Sequence, residues 1–100
     1  MLATGVEIVL VSMGARGMTM LTERMRLHAH PPRVDVVSTI GAGDSAVAGF
    51  VFGMSRGKDP GECLRWAVAA GSAATMCRGS GVCQWIDTKQ LVERVEVTAA

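Results

Sequence analysis

A glycine-rich turn followed by an acid is the part of the sequence best suited to chemistry. It reads Thr39-Ile40-Gly41-Ala42-Gly43-Asp44-Ser45. The glycines let the backbone turn sharply and approach a ligand with no Cβ in the way. The helix that follows leaves unpaired amides at its positive end, which makes an anion hole of main chain. Asp44 is then either the N-cap of that helix or a general base beside a site for developing negative charge, as phosphoryl transfer requires.

The same residues fit a second, looser pattern. Gly41-x-Gly43-x-x-Ala46 matches the dinucleotide fingerprint G-x-G-x-x-G/A. Two features count against it: Asp44 would place a negative charge against a pyrophosphate, and a Pro31-Pro32 connector precedes the turn instead of a strong buried strand. The pattern favours a cap and ligand loop over a dinucleotide site.

The elements before this turn are predicted to be strands. Residues 7–11, Glu-Ile-Val-Leu-Val, are typical of a buried strand that ends in a glycine loop over residues 12–17. Residues 18–21 and 25–29 alternate weakly and predict a hairpin. Pro31-Pro32 then forces an extended connector, followed by a short extended stretch over 34–37.

Helices are predicted after the turn. The first runs from Gly41 to about Met54, with Gly57 helping to end it. The second has Asp59 at the N-cap, Pro60 at N1 and Glu62 at N3. It should run to about Arg78, with Gly79 as its stop, and Asp87-Thr88 should cap a last amphipathic helix that carries Leu91, Val92 and Val95.

The two longer helices lack a normal polar face. Residues 46–54 have none and residues 66–74 have almost none. A helix that is apolar all round is expected to be buried on all sides. A chain of 100 residues can hardly bury two such helices, so we interpret it as a piece of a larger layered protein or one that associates through these surfaces. The alternative is a small, closely packed helix pair.

Composition excludes several classes of protein. The chain has 100 residues, enough for one domain, and is 49% hydrophobic and 19% charged, which excludes disorder. Its formal net charge of +1 does not predict the excess of positive charge that binds nucleic acid or an anionic membrane. No membrane span or signal peptide is predicted. Three cysteines without a Cys-x-x-Cys pair indicate free thiols in a cytoplasmic protein.

A longer stretch around the turn resembles a known family. Residues 38–49, Ser-Thr-Ile-Gly-Ala-Gly-Asp-Ser-Ala-Val-Ala-Gly, look like the second signature of the ribokinase-like (PfkB) carbohydrate kinases. Residues 9–17 resemble the family's nucleotide-side strand and its S-x-G-x-x-G loop. The Ser-Thr start of the signature, with an aliphatic residue before the glycines, resembles the family's phosphosugar branch, which comprises the 1-phosphofructokinase, tagatose-6-phosphate kinase and minor 6-phosphofructokinase types. Residues 68–75 and Asp87-Thr88 are similar to that 6-phosphofructokinase type in particular. The resemblance covers about residues 6–95.

The resemblance implies roles for individual residues. Asp44 would be the catalytic base that takes a proton from the sugar hydroxyl, and the amides of Gly41, Ala42 and Gly43 would form the anion hole. The residues implied on the ATP side are Ser12, Gly14, Val68, Gly71, Ser72 and Ala74. The carbonyls implied near a monovalent cation such as K⁺ are those of Ser38, Ile40, Ala74, Cys77 and Gly79, although Cys77 stands where the family has a polar residue.

The resemblance also implies an architecture and partners. Residues 1–100 would be the C-terminal, nucleotide-binding part of a three-layer α/β/α fold with a doubly wound sheet, without the sugar-binding part and lid. The cofactors would be ATP and Mg²⁺, the acceptor fructose 6-phosphate or fructose 1-phosphate, and the full-length enzyme a homo-oligomer. Because catalysis needs a held acceptor and an excluded solvent, the isolated chain is expected to have little or no activity.

Overall fold

A computed structural model of the chain describes residues 8–39, 41–76 and 84–100. Four strands form one sheet in the order β1-β2-β3-β4, and every neighbouring pair is antiparallel. Together with the helices they make an α/β fold, as predicted. In chain order the elements are β1 (Ile8–Ser12), β2 (Met18–Thr22), β3 (Arg26–His30), α1 (Ala42–Ser55), α2 (Pro60–Thr75), α3 (Gln84–Val92) and β4 (Glu96–Ala99).

The loop between β1 and β2 depends on two glycines. It contains a short 3-10 turn over Gly14–Arg16. Gly14 and Gly17 have φ angles of +59° and +97°, a region that side chains with a Cβ rarely adopt. A Cβ at position 17 would also overlap the carbonyl oxygen of Ala29. The loop therefore lies directly against β3.

The predicted hairpin is confirmed by β2 and β3. Its turn is held by Thr22, whose hydroxyl oxygen accepts hydrogen bonds from the amides of Arg24 (3.2 Å) and Met25 (2.9 Å). The register pairs Met20 with Leu27, so alternate residues of the two strands face the helices. Met20 is fully buried on that face.

The outer strands differ from the prediction. β1 is an edge strand, and Val9 and Val11 are 44% and 40% exposed, so its predicted burial is wrong. β4 was not predicted, because Glu96-Val97-Thr98-Ala99 is short and has a single large apolar residue. It pairs with β3 through contacts far apart in the sequence, which local patterns do not reveal.

α2 is the central element of the fold. It packs against α1 and α3 and against β2, β3 and β4. Its start is as predicted: Pro60 opens the helix, and the Asp59 carboxylate accepts a hydrogen bond of 2.8 Å from the Glu62 amide. Leu64 and Cys63 are fully buried in the core. α2 ends at Thr75, and the predicted stop at Arg78 and Gly79 lies outside the described residues.

α1 is buried on one side only. It runs close to its predicted bounds and ends at Ser55, and Gly57 follows two residues later with a φ of +71°. Within the described residues it is not buried on all sides, since Val47, Val51 and Met54 are each 56% exposed, and the interpretation of the chain as a piece of a larger protein allows for such an uncovered face. The described elements cover the opposite face of α1, where it packs against α2.

The last helix begins earlier than predicted. Since α3 starts at Gln84, Asp87 and Thr88 lie inside it and do not cap it. Thr88 is only 4% exposed. Val95 follows the helix instead of belonging to it, although it is buried as expected. Among the described helices, none has the length and apolar character needed to cross a membrane.

Candidate functional site

One cavity brings together half of the site residues that the sequence predicted. It has a volume of about 550 Å³ and lies between the loop after β1, the connector after β3, the start of α1 and one face of α2. Its lining residues are Ser12, Gly14, Gly17, Met18, Pro31, Pro32, Arg33, Val34, Val36, Thr39, Ala42, Gly43, Ala46, Ala67, Val68, Gly71, Ser72 and Thr75.

The start of α1 is built on Gly41. This residue is the N-cap, with φ +80° and ψ 0°, and α1 begins at Ala42. The interpretation of Asp44 as the N-cap is therefore wrong. Asp44 lies in the first helical turn, is exposed, and makes no cap hydrogen bond. No partner for its carboxylate is found within the described part of the chain, so it is open to a ligand.

The amides of this turn differ in what they bind. The Ala42 amide donates to the Thr39 carbonyl at 3.3 Å, a long and weak bond. The Ser45 amide donates to the Gly41 carbonyl at 2.9 Å. The Gly43 amide has no acceptor among the residues that the structure describes, as expected in the first turn of a helix. Gly43 also lies in the cavity lining, so its amide is a candidate donor to an anion there.

The connector that carries the turn is tied to the end of α2. The Thr75 carbonyl accepts hydrogen bonds from the amides of Val37 (2.6 Å) and Ser38 (3.1 Å). The Thr75 hydroxyl in turn donates to the Ser72 carbonyl at 2.6 Å. These bonds fix the last residues before the glycine turn against α2, so the turn and the α2 face keep their relative position.

The α2 face of the cavity has a residue without a side chain, Gly71, at its centre. A Cβ at Gly71 would lie 3.4 Å from both the Ala42 carbonyl oxygen and the Ala46 Cβ. Val68 and Ser72 flank it. A face without bulky side chains leaves room for a flat ligand.

The structure thus brings together residues that are far apart in the chain. The predicted site residues found in the cavity lining are Ser12, Gly14, Ala42, Gly43, Val68, Gly71 and Ser72. Gly41 and Asp44 are exposed and adjoin two lining residues in the chain, but do not line it themselves. Ala74 is 2% exposed and is absent from the lining.

The residues predicted near a cation are only partly described. Ser38 is half-buried, and its amide is bonded to Thr75. Ile40, Cys77 and Gly79 lie outside the described residues. The segments around residues 38 and 74, whose carbonyls are predicted to lie near the cation, are joined by the hydrogen bonds from Val37 and Ser38 to Thr75. In the described ranges no three His, Cys, Asp or Glu side chains are grouped as a metal site would need.

Sequence reasoning missed one wall of the cavity. The connector contributes Pro31, Pro32, Val34 and Val36, which form an apolar side opposite α2. The Pro-Pro pair was the available signal, because it fixes an extended backbone that cannot fold back into the sheet. Arg33 is the single charged residue in the described lining.

Comparison with known proteins gives one family. The model of the pfkB family carbohydrate kinases matches residues 1–87. A 1-phosphofructokinase from Vibrio cholerae is 37% identical over 94 residues, which is 94% of this chain and 30% of that protein. A 1-phosphofructokinase from Bacillus subtilis is 36% identical, with the same coverage. The chain thus spans about a third of the length of these curated relatives.

Solved structures agree with this result. The phosphofructokinase-2 of Escherichia coli in complex with potassium has a TM-score of 0.82 and 34% identity, covering 88% of this chain and 28% of its own. A ribokinase from Thermotoga maritima also has a TM-score of 0.82, covering 92% of this chain and 32% of its own. Its 24% identity makes it a likeness of fold alone.

Proposed function

The chain belongs to the pfkB family of carbohydrate kinases, and on that premise we propose that it is the C-terminal, nucleotide-binding part of an ATP-dependent phosphosugar kinase. One observation carries the proposal. A single cavity joins the glycine loop after β1, the first turn of α1 and the small-residue face of α2, while Asp44 stands exposed one residue beyond Gly43 in the lining.

The nucleotide would lie along the α2 face. Val68, Gly71 and Ser72 offer a flat surface for the base, and Pro31-Pro32 offer an apolar wall opposite it. Ser12 and Gly14 would lie against the ribose and phosphates. Ala74 is buried and is not in the lining, so it would support this face through packing and would not contact the nucleotide.

Asp44 would be the base for phosphoryl transfer. Its carboxylate takes the proton of the acceptor hydroxyl, whose oxygen forms a bond to the γ-phosphorus as the bond to the bridging oxygen breaks. The electron pair of that bond leaves with ADP. The Gly43 amide, with Gly41 and Ala42 beside it, would stabilise the negative charge of the transferred group at the positive end of α1.

The acceptor and cations follow from the relatives. Two relatives are named 1-phosphofructokinase and a structural neighbour phosphofructokinase-2, so we propose fructose 1-phosphate or fructose 6-phosphate as acceptor. The neighbour's complex with potassium supports a monovalent cation near Ser38 and the end of α2. Mg²⁺ would arrive with the phosphates of ATP, and we assign it no residue, because the described side chains hold no cluster of carboxylates to bind it.

A chimera tests this function directly. The stretch of the Vibrio cholerae relative that aligns with this chain is replaced by the chain, and turnover is measured with ATP and each phosphosugar. Asp44→Asn should lower kcat by a factor of about 10²–10⁴, since it removes a general base, and leave KM for ATP nearly unchanged. Asp59→Asn is the matched control, because Asp59 caps α2 and is not among the described residues that line the cavity. Normal turnover by the Asp44 variant rejects it as base.

Binding by the isolated chain is measured in parallel. ATP should bind without being turned over, because the chain spans about a third of the length of its relatives and turnover also needs a held acceptor. A titration with NAD addresses the dinucleotide pattern at Gly41–Ala46. Preference for NAD over ATP would reject the kinase function in favour of that pattern.

A second candidate function has its own support. The exposed residues Val47, Val51 and Met54 lie on one face of α1, at the i, i+4 and i+7 positions. That face favours a non-catalytic nucleotide-binding module that associates with copies of itself. A structural neighbour, phosphofructokinase-2 of Escherichia coli, is described in a tetrameric inhibited form.

A further inference from the structure

The glycine loop after β1 is bonded to a histidine that does not line the cavity. His28 lies in the middle of β3, where the register pairs it with Thr19 of β2. Its Nε2 is 2.7 Å from the carbonyl oxygen of Arg16, within the loop. Its Nδ1 is 2.7 Å from the Thr19 hydroxyl. Both ring nitrogens are therefore bonded, one to the loop and one to the sheet.

The chemistry of the two partners fixes the direction of these bonds. A carbonyl oxygen can only accept, so Nε2 of His28 carries a proton and donates to Arg16. In the neutral ring the Thr19 hydroxyl then donates to Nδ1, and in the charged ring Nδ1 donates to the hydroxyl oxygen. The bond to the loop is kept in both forms. Two groups lie beside the His28 ring: the His30 ring, two residues along β3 and 4.7 Å away between centroids, and Thr98 of β4, which the register pairs with His28 and which bonds His30.

The loop has a reason to need this anchor. It lies at the surface, with Met13, Gly14 and Arg16 exposed, and its two glycines with positive φ lack the side chains that could anchor it by packing. Within the loop, Met13 donates to Gly17 (2.8 Å), Arg16 to Met13 (3.1 Å) and Gly17 to Gly14 (3.0 Å). These bonds define its shape. The bond from His28 attaches that shape to the sheet.

The geometry points to His28 as a positioning residue for nucleotide binding: it holds the Arg16 carbonyl, and with it the loop residues Gly14 and Gly17 that line the cavity. This rests on the proposed function of the cavity. Because the contact is to main chain, the side chain of Arg16 is not required. His28 is not among the lining residues described for the cavity, so it would act on the nucleotide through the loop.

Three variants of the intact chain test the inference. His28→Phe keeps a ring and removes both bonds, and His28→Gln keeps an amide that can donate to Arg16. His30→Phe is the control on the same face of β3, since its bond goes to Thr98 and not to the loop. Amide hydrogen exchange at Met13, Arg16 and Gly17 reports the order of the loop, and calorimetric titration with ATP reports affinity.

We expect His28→Phe to speed exchange at the three loop amides and to weaken ATP binding about tenfold, the effect of one lost hydrogen bond of average strength. His28→Gln should keep most of the protection of the loop amides and most of the ATP affinity, and His30→Phe should change neither quantity. Unchanged exchange in His28→Phe overturns the anchoring role. Faster exchange with unchanged affinity overturns the link to the nucleotide.

The proposed function can fail separately. If the wild-type chain binds no ATP, the nucleotide function of the cavity is rejected together with the affinity part of the inference. The exchange rates then still decide whether His28 anchors the loop. If exchange is faster everywhere in His28→Phe, including the α2 amides, the residue supports the whole fold and the specific anchoring role is rejected.

Discussion

Gly49 of α1 lies so close to Trp66 of α2 that a Cβ at position 49 would be 2.5 Å from the Trp66 carbonyl oxygen. One turn further along, a Cβ at Gly53 would be 3.0 Å from the Cα and Sγ of Cys63. The two glycines form a groove in which the backbone of α2 lies. This contact sets the distance between the helices, and so the width of the cavity between their ends.

Gly49→Ala should destabilise the chain. Alanine favours a helix over glycine by about 1 kcal/mol, but the clash is with backbone that cannot move aside, and such overpacking costs about 1–3 kcal/mol. We expect a lower free energy of unfolding in urea. Gly43→Ala is the control in the same helix, because a Cβ there meets nothing within 4 Å. Equal stability of the two variants would contradict the close contact.

Asp59→Ala should also destabilise the chain, by about 1 kcal/mol. The carboxylate accepts the Glu62 amide at 2.8 Å at the start of the central helix, and losing an N-cap of this kind has that cost. Asp59→Asn keeps an oxygen acceptor and should be close to wild type. Thermal unfolding followed by circular dichroism measures both. A variant Asp59→Ala with unchanged stability would show that the cap does not contribute.

The cap of α2 shows what the sequence could predict. Asp59, Pro60 and Glu62 specify the start of α2 by local rules. The β2–β3 hairpin and the glycine turn at 41–43 are predictable from local sequence in the same way. Each depends on residues close in sequence. The resemblance over residues 9–17, 38–49 and 68–75 predicted which separate segments form the candidate site, and the structure brings residues 12, 43 and 71 to one cavity, a meeting that no local pattern contains.

The errors share a physical cause. β4 pairs with a strand about 70 residues earlier, so its formation depends on long-range packing. Asp87-Thr88 has the composition of a cap, yet the helix begins at Gln84, because tertiary contacts override a local preference. The sequence predicts Pro31-Pro32 only as a connector, because the contribution of these residues to the cavity depends on the packing of α2.

Cys63 should make stability depend on alkaline pH. Burial raises the pKa of its thiol above 9.0, and the negative charges of Asp59 and Glu62 raise it further. The unfolded thiol then ionises at lower pH than the folded one, so the stabilising contribution is present below about pH 9 and is lost as the pH rises through the folded pKa. Urea unfolding at pH 7 to 10 measures it. Cys63→Ala should show a smaller loss of stability above pH 9 than the wild type, and equal slopes would contradict the assignment.

Gly71 should control access to the cavity. A Cβ at this position is accommodated at 3.4 Å from Ala42 and Ala46, and the two further methyl groups of valine would either press against α1 or protrude into the cavity that Gly71 lines. Gly71→Val should therefore weaken ATP binding about 10- to 100-fold, corresponding to about 1–3 kcal/mol of overpacking. Gly71→Ala is the control and should bind nearly as the wild type does. Calorimetric titration compares them, and equal affinities would place the nucleotide elsewhere.

The exposed face of α1 should decide whether the isolated chain associates. Val47, Val51 and Met54 are apolar and 56% exposed, and apolar patches of this kind mark surfaces that another molecule covers. Val51→Lys should shift the chain towards the monomer in sedimentation velocity at micromolar concentration, because a lysine at the centre of such a contact would bury an unpaired charge. Met25→Lys, an equal change of charge in the turn between β2 and β3, should leave the distribution as in the wild type. A wild-type chain that sediments as a well-folded monomer would reject self-association, and the kinase fragment would then stand as the single interpretation of the apolar face.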